Sequence, residues 1–263
     1  MVLFSAYTIV DGIFVSKGVG ELALAGVNIA LPFINVLSGT AILLSMGTST
    51  LCAFALGHGD HEKAEKIFTQ TVVAIVAISA VITVAVSLFS EPLAVLLGAG
   101  PQTVGYSAQY LHMVCLFSVC FILSYCLEVM VKVDGAPQLA MFGVGISFLI
   151  NVGLDYLFIM VFHWGVWSAA VATTISQAIS MVLCVRHLMK KGTFYQLQPK
   201  KLGLDREMLS LIVRYGLPAG VQNSVIGFAN VIVQSNINSF GKIAMAAYGA
   251  YSKLEGFAFL PVT

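Results

Sequence analysis

The chain has 263 residues, of which 59% are hydrophobic and only 10% are charged, and its net charge is +1. Soluble domains carry roughly 25% charged residues, so this composition excludes a soluble protein folded around one core. The apolar residues form several long runs, which also excludes a secreted protein with a single signal peptide at its front.

Eight apolar segments follow one another along the chain, each at or near the roughly 20 residues that a helix needs to cross a bilayer. Their predicted bounds are 1–16, 22–56, 66–89, 105–131, 138–162, 166–189, 207–238 and 242 onward. The sequence therefore predicts an all-α integral membrane protein that crosses the membrane several times.

The basic residues are distributed unevenly. Ten of the 13 lie in or beside the connections 57–65, 132–137 and 190–206, which alternation places on one side. They are Lys63, Lys66, Lys132, Arg186, Lys190, Lys191, Lys200, Lys201, Arg206 and Arg214. Because cytoplasmic loops carry this excess, we predict a multi-pass protein of the cytoplasmic membrane with the 190–206 linker in the cytoplasm.

A weak internal repeat relates the second span to the eighth. Shifting the sequence by 221 residues aligns 20–26 (GELALAG) with 241–247 (GKIAMAA). Six helices separate the copies, so the repeat is parallel, as in transporters that rock two halves around a central site.

We expect a first six-helix lobe over 1–189 with a truncated first helix. The 190–206 linker follows, and 207–263 begins the second lobe with helix 7 and part of helix 8. Twelve helices are expected in the complete protein, which makes this chain a fragment.

Polar residues inside the spans are the candidate site. A carboxylate at mid-helix costs roughly 2.5 to 3.5 kcal/mol, so each one needs a reason. Helical rise places Asp11, Asp155 and Thr173 about 9, 12 and 10 Å from the outer ends of their spans, hence at one depth. Asn151 lies on the face of Asp155, one turn deeper. Two carboxylates, an amide and a hydroxyl suit a hard monovalent cation, Na+ for example, or a shared proton.

A purely structural reading of the same residues remains open. Asp11 would then cap a kink or bond to a neighbouring helix, and Asp155 would pair with Asn151 to join helices. Glu128 and Lys132 are four residues apart near a cytoplasmic end, which predicts a local ion pair.

A wet cavity is predicted beside the seventh span, which carries too many amides for contact with lipid. The eighth span adds two charged residues that each need a partner. The predicted lining of the substrate cavity is Gln177, Gln222, Asn223, Asn230, Gln234, Lys253 and Glu255.

Several segments together resemble one transporter family. Segments 7–15 (YTIVDGIFV) and 20–25 (GELALA) are similar to the opening of the multidrug and toxic compound extrusion (MATE) transporters. Segment 132–141 (KVDGAPQLAM) resembles their turn between helices four and five, although the family often carries Arg where Lys132 stands. Segments 151–159 (NVGLDYLFI) and 169–177 (AAVATTISQ) resemble helices five and six.

The resemblance implies two six-helix lobes that extrude a substrate in exchange for Na+ or H+. It also implies that Asp11, Asn151, Asp155 and Thr173 form the cation site of the first lobe. We expect small organic, often cationic, drug-like substrates and the lipid bilayer as partners. We expect no nucleic acid, no enzymatic activity, no cofactor beyond the coupling ion, and a monomer when the protein is complete.

Two rival functions remain. A lipid-linked saccharide flippase of the same broad superfamily would need many cationic residues for a pyrophosphate, whereas only Lys253 lies well inside a span. A membrane scaffold or intramembrane enzyme is less favoured, because the two acids share a depth and no catalytic constellation is present.

Overall fold

The chain folds into a bundle of long helices in a computed structural model that describes residues 2–190 and 205–239, with side-chain surroundings for most positions from 10 onward. The helices are α1 (Val2–Gly18), α2 (Glu21–Gly57), α3 (His61–Leu96), α4 (Val104–Leu116), α5 (Ser118–Val133), α6 (Pro137–Asp155), α7 (Trp167–Leu188) and α8 (Arg206–Ser239). A π-helical segment, Tyr156–Val161, extends α6.

The predicted spans coincide with these helices. Four are long and apolar enough to cross a membrane: α2, α3, α6 with its π-helical extension, and α7. The bent pair α4 and α5 brings the number to as many as five. The prediction of an all-α integral membrane protein is confirmed, whereas the eighth span from 242 and most of the predicted linker, 191–204, lie outside the described residues.

Two of the predicted spans contain bends. The span 105–131 bends by 52° between α4 and α5, at Phe117. At the bend, the Cys115 carbonyl leaves the regular hydrogen-bond pattern of α4. It accepts a hydrogen bond of 2.7 Å from the Thr83 hydroxyl of α3. The third span continues past residue 89 to Leu96, with a kink at Phe89. Pro92 accounts for this kink, because it has no N–H for the carbonyl four residues earlier.

The two ends of the bundle differ in chemistry. We call one the basic end, because Lys63, Lys66 and Lys132 lie there with the turns 58–60 and 134–136. The Asp60 side chain caps α3 there by accepting the Lys63 backbone N–H at 3.0 Å. We call the other the aromatic end, since it carries the Trp164 ring between α6 and α7.

Two ion pairs and one hydrogen bond between side chains lie at the basic end. The predicted pair of Lys132 and Glu128 is confirmed at 2.7 Å. His187 at the end of α7 meets Asp134 of the α5–α6 turn at 2.9 Å. Lys66 of α3 reaches Asp205, just before α8, at 3.3 Å. The hydrogen bonds from the Lys66 side chain and from backbone N–H groups of α8 lower the pKa of Asp205.

The interior contains two hydrophobic clusters, one in each half of the bundle. The cluster toward the basic end includes Phe68, Ile122 and Met130, and all three side chains are fully buried. The cluster toward the aromatic end includes Leu111 and Ile159. Because helices from the whole of 15–188 supply these clusters, the first seven helices form one packed unit.

Helix α8 packs on α2 over its first half, the part whose side-chain surroundings are described. A Cβ at Gly47 would collide with the Ile212 carbonyl, and one at Gly216 with the Leu43 carbonyl, so the two backbones touch directly. Buried positions recur at Ile212, Gly216 and Gly220, whereas 221–226 are all exposed. The two helices therefore meet at the basic end and separate toward the aromatic end.

Candidate functional site

Contacts between α1 and the end of α6 set the register of the site. The Phe14 and Tyr156 rings meet edge to face with centroids 6.3 Å apart. One turn further on, Gly18 lies so close to Ile159 that a Cβ would overlap its side chain. Phe14 lies three residues after Asp11 and Tyr156 one residue after Asp155, so helical rise places the two aspartates within about one turn of the same level.

The two carboxylates lie inside the bundle. Asp155 is fully buried and Asp11 is 8% exposed. They are near enough for their charges to interact, as the shared depth predicted. Two like charges in a low-dielectric interior repel, so this pair favours any ligand that removes part of its negative charge.

Asn151 lies one turn before Asp155 and is also buried, with 1% of its surface exposed. Neither its amide atoms nor the two carboxylate oxygens of Asp155 have a hydrogen-bond partner among the described residues, and the same holds for Asp11 Oδ1. The structural alternative in which Asp155 pairs with Asn151 is therefore not what the structure contains. Buried polar groups are nearly always paired, so this set is unusual.

Thr173 is half-buried on α7, and its hydroxyl donates to the Ala169 carbonyl at 2.9 Å. A hydroxyl that donates its proton can still accept through its oxygen, so this bond is compatible with a cation ligand. The coupling roles of Thr173, Asp11, Asn151 and Asp155 remain a prediction.

Tyr110 is a residue that the sequence reasoning missed. It lies on α4, only 7% of its surface is exposed, and both Asp11 and Asp155 act electrostatically on its hydroxyl. A phenol in this position can donate a hydrogen bond to a carboxylate. The sequence contained a weak signal, a hydroxyl in an apolar span, but an aromatic residue in such a span is ordinary.

The π-helical segment is a second unpredicted feature of the site. It begins directly after Asp155, and it ends with bonds that reach further than one α-helical turn, such as Phe162 N–H to the Leu157 carbonyl at 3.0 Å. Such segments are rare and often occur at functional sites. Here the wider turn follows the buried carboxylate and packs against α1.

The predicted substrate cavity is described only in part. Gln177 is half-buried on α7, where its carbonyl accepts the Ser124 hydroxyl at 3.0 Å. Gln222 and Asn223 are exposed on the part of α8 that has left α2. The side chains of Asn230 and Gln234, and all of Lys253 and Glu255, lie outside the described residues.

The donor set favours a proton or a hard monovalent cation over a transition metal. Within the described residues, no group of three or more His, Cys, Asp or Glu side chains is placed to hold a metal ion. Carboxylate, amide and hydroxyl oxygens are instead the ligands that hard cations prefer.

Relatives and solved structures agree with this fold. The family model of MatE matches residues 1–157. The multidrug export protein MepA of Staphylococcus aureus is 27% identical over 234 residues, which are 89% of this chain and 52% of that protein. The chain thus spans about half the length of this relative.

The chain also superposes on two solved structures, which show an outward-facing and an inward-facing conformation of a multidrug resistance MATE family transporter of the MOP superfamily. The outward-facing one superposes with a TM-score of 0.89 at 23% identity, covering 99% of this chain and 58% of the other. The inward-facing one gives 0.76 at 25% identity, covering 82% and 49%. Because the family model covers more than half of the 263 residues, the chain belongs to the MatE family.

Proposed function

We propose that this protein is part of a secondary active antiporter that exports drugs or toxic organic compounds in exchange for Na+ or H+. The complete transporter would have two six-helix lobes in the cytoplasmic membrane and act as a monomer. Residues 1–189 would form its first lobe, 190–206 a cytoplasmic linker, and 207–263 the start of its second lobe. The multidrug export function of the relative supports the substrate class.

One observation carries the proposal: the buried side-chain polar atoms of Asp155 and Asn151, and Oδ1 of Asp11, lack hydrogen-bond partners among the described residues. An intramembrane acid usually marks an ion or proton pathway, because its cost is otherwise uncompensated. A cluster with a merely structural role would satisfy its own hydrogen bonds, as Ser107 does by donating to the Gly26 carbonyl at 2.9 Å.

The coupling ion would act by changing the charge of this cluster. A proton shared by Asp11 and Asp155, or an Na+ among their oxygens, removes one negative charge from the pair. The Asn151 and Thr173 oxygens can complete the shell of Na+ without adding charge. The repulsion between α1 and α6 then depends on occupancy, so binding favours a different arrangement of α1 against the π-helical segment.

The α2–α8 contact would be the closed side of the transport pathway. Its backbones touch at Gly47 and Gly216 near the basic end, and the helices separate toward the aromatic end. If the basic end is cytoplasmic, this arrangement exposes Gln222 and Asn223 of α8 on the side that faces outward. Rocking the two lobes about this contact would expose them to the cytoplasm instead.

The test is efflux of a fluorescent organic cation from vesicles that contain the complete transporter, with the Na+ gradient and the pH gradient imposed separately. We expect export driven by at least one of the two gradients. Equal rates with and without both gradients would rule out antiport.

A further inference from the structure

A second candidate site lies at the aromatic end, where a cavity of about 360 Å³ opens between the end of α3, the first half of α4 and the start of α7. Pockets of this volume are at the small end of those that hold organic ligands. Its lining includes Ser90, Glu91, Gln109, His112, Met113 and Trp167. None of these residues belongs to the Asp11 and Asp155 cluster.

A stack of aromatic rings holds one wall in place. Trp167 stacks on Trp164 with centroids 5.5 Å apart and an interplanar angle of 15°. Trp164 in turn stacks on Phe158 at 5.0 Å. The Trp167 indole is thus a fixed aromatic surface at the cavity, of the kind that attracts cations by its π electrons.

Glu91 supplies the charge of the cavity. It follows the kink of α3 at Phe89 and is exposed. The structure gives Glu91 and His112 neither an ion pair with each other nor a hydrogen bond to any other described residue. Glu91 is thus the acidic residue of the lining, and no Lys or Arg of the lining offsets its charge.

The lining discriminates among ligand classes. An anion is disfavoured, since no Lys or Arg is among the lining residues. A metal ion is disfavoured, because Glu91 and His112 offer only two ligands where a zinc site uses at least three. A carboxylate beside an indole, with an amide and an imidazole as hydrogen-bond acceptors, is the chemistry that recognises an organic ammonium group.

We propose that this cavity binds an organic ammonium group, with Glu91 as its counter-ion and Trp167 as its aromatic contact. The group belongs either to a free organic cation or to the headgroup of an amine-bearing lipid, since the aromatic end is where the bilayer interface is expected. The site is separate from the buried carboxylate pair and does not depend on transport.

Tryptophan fluorescence reports binding at this cavity, because the sequence has only two tryptophans, Trp167 in its lining and Trp164 stacked on Trp167. The full chain in neutral detergent is titrated with tetraethylammonium chloride at constant ionic strength. We expect a saturable change in emission. Glu91→Gln should weaken the apparent affinity about tenfold, the value of one lost charge-assisted interaction. Glu21→Gln removes an exposed carboxylate at the same end but outside the cavity, and should leave the affinity unchanged.

A second arm distinguishes the two sources of the ammonium group. The titration is repeated in vesicles of phosphatidylglycerol with and without phosphatidylethanolamine. A weaker response with phosphatidylethanolamine assigns the site to a lipid headgroup, and an equal response assigns it to a free cation. The proposal is overturned if the emission change does not saturate, if Glu91→Gln binds like the wild type, or if Zn2+ but not tetraethylammonium gives the saturable response.

Discussion

At the scale of single residues, the central feature is that buried polar atoms are left unpaired. Asp155 and Asn151 are almost completely buried, and their side-chain oxygens have no hydrogen-bond partner among the described residues. Such groups lower stability, because they lose water without gaining a protein partner. In the proposed function, the coupling ion binds to these groups and compensates for this loss.

This interpretation predicts how neutralising Asp155 changes the thermal stability of the protein. Asp155→Asn keeps the side-chain volume and removes a buried charge that has no counter-ion, so the thermal midpoint in detergent should stay the same or rise. Ser107→Ala is the matched control, since it removes a satisfied buried hydrogen bond to the Gly26 carbonyl and should cost about 1 kcal/mol. A larger loss for Asp155→Asn than for Ser107→Ala would mean that Asp155 is structural.

The sequence predicted part of this site. Asp11, Asn151 and Asp155 could be found because acids and amides inside apolar spans are rare, and helical rise alone put the two acids at one depth. Tyr110 could not, because its proximity to the two acids depends on how the bundle packs in three dimensions. The sequence also could not show that the Asn151 amide is unpaired, because a pairing with Asp155 was equally compatible with it.

At the scale of helices, the long apolar runs determined the elements but not their bends. The kink of α3 had a signal in Pro92. The 52° bend at Phe117 had no such signal in the sequence. The bend frees the Cys115 carbonyl, which accepts the Thr83 hydroxyl of another helix. The π-helical segment after Asp155 likewise depends on packing against α1 at Gly18 and Ile159. Tertiary contacts of this kind leave no periodic pattern in the sequence.

The backbone contact between α2 and α8 gives a prediction at this scale. Gly47→Ala places a Cβ against the Ile212 carbonyl and should destabilise the protein by about 1 to 3 kcal/mol, the usual cost of overpacking. Gly39→Ala, on the same helix with open space at its Cβ, should stabilise by up to about 1 kcal/mol through helix propensity. Thermal unfolding of both variants measures the difference. Equal effects would show that α8 does not pack closely on α2.

The ion pair between Lys66 and Asp205 should help to hold α8 at the basic end. Because the pKa of Asp205 lies below its ordinary value of 3.8, this contribution is present at neutral pH and disappears as the pH falls through the lowered pKa. Asp205→Asn should therefore increase a population with a longer distance between spin labels at positions 63 and 214, as should high salt. Glu207→Gln, a nearby exposed acid, should not. An unchanged distance distribution in Asp205→Asn would exclude this role.

At the scale of the whole molecule, the described residues form a packed bundle of seven helices, and α8 contacts it mainly through α2. The superposition on the outward-facing transporter, at a TM-score of 0.89 and 23% identity, supports the helical fold. The order of the helices followed from hydropathy alone. The exposure of residues 221–226 on α8 did not, since it depends on how α8 packs against α2.

The orientation of the molecule is a separate prediction, based on the excess of basic residues at one end. In a cysteine-free background, Gln198→Cys should resist a membrane-impermeant thiol reagent in intact cells. His163→Cys at the aromatic end should react. Rapid labelling at 198 with protection at 163 would invert the topology.

The claim that Asp11 and Asp155 act as one coupling unit is tested most directly by gradient-driven efflux in vesicles. The complete transporter is compared with Asp11→Asn, Asp155→Asn and the double variant, each at matched membrane expression. Residues that act as a unit are not additive, so each single variant should already lose gradient-driven export, and the double variant should be no worse. If Asp155→Asn instead exports with the pH and Na+ dependence of the wild type, the buried pair is not the coupling site.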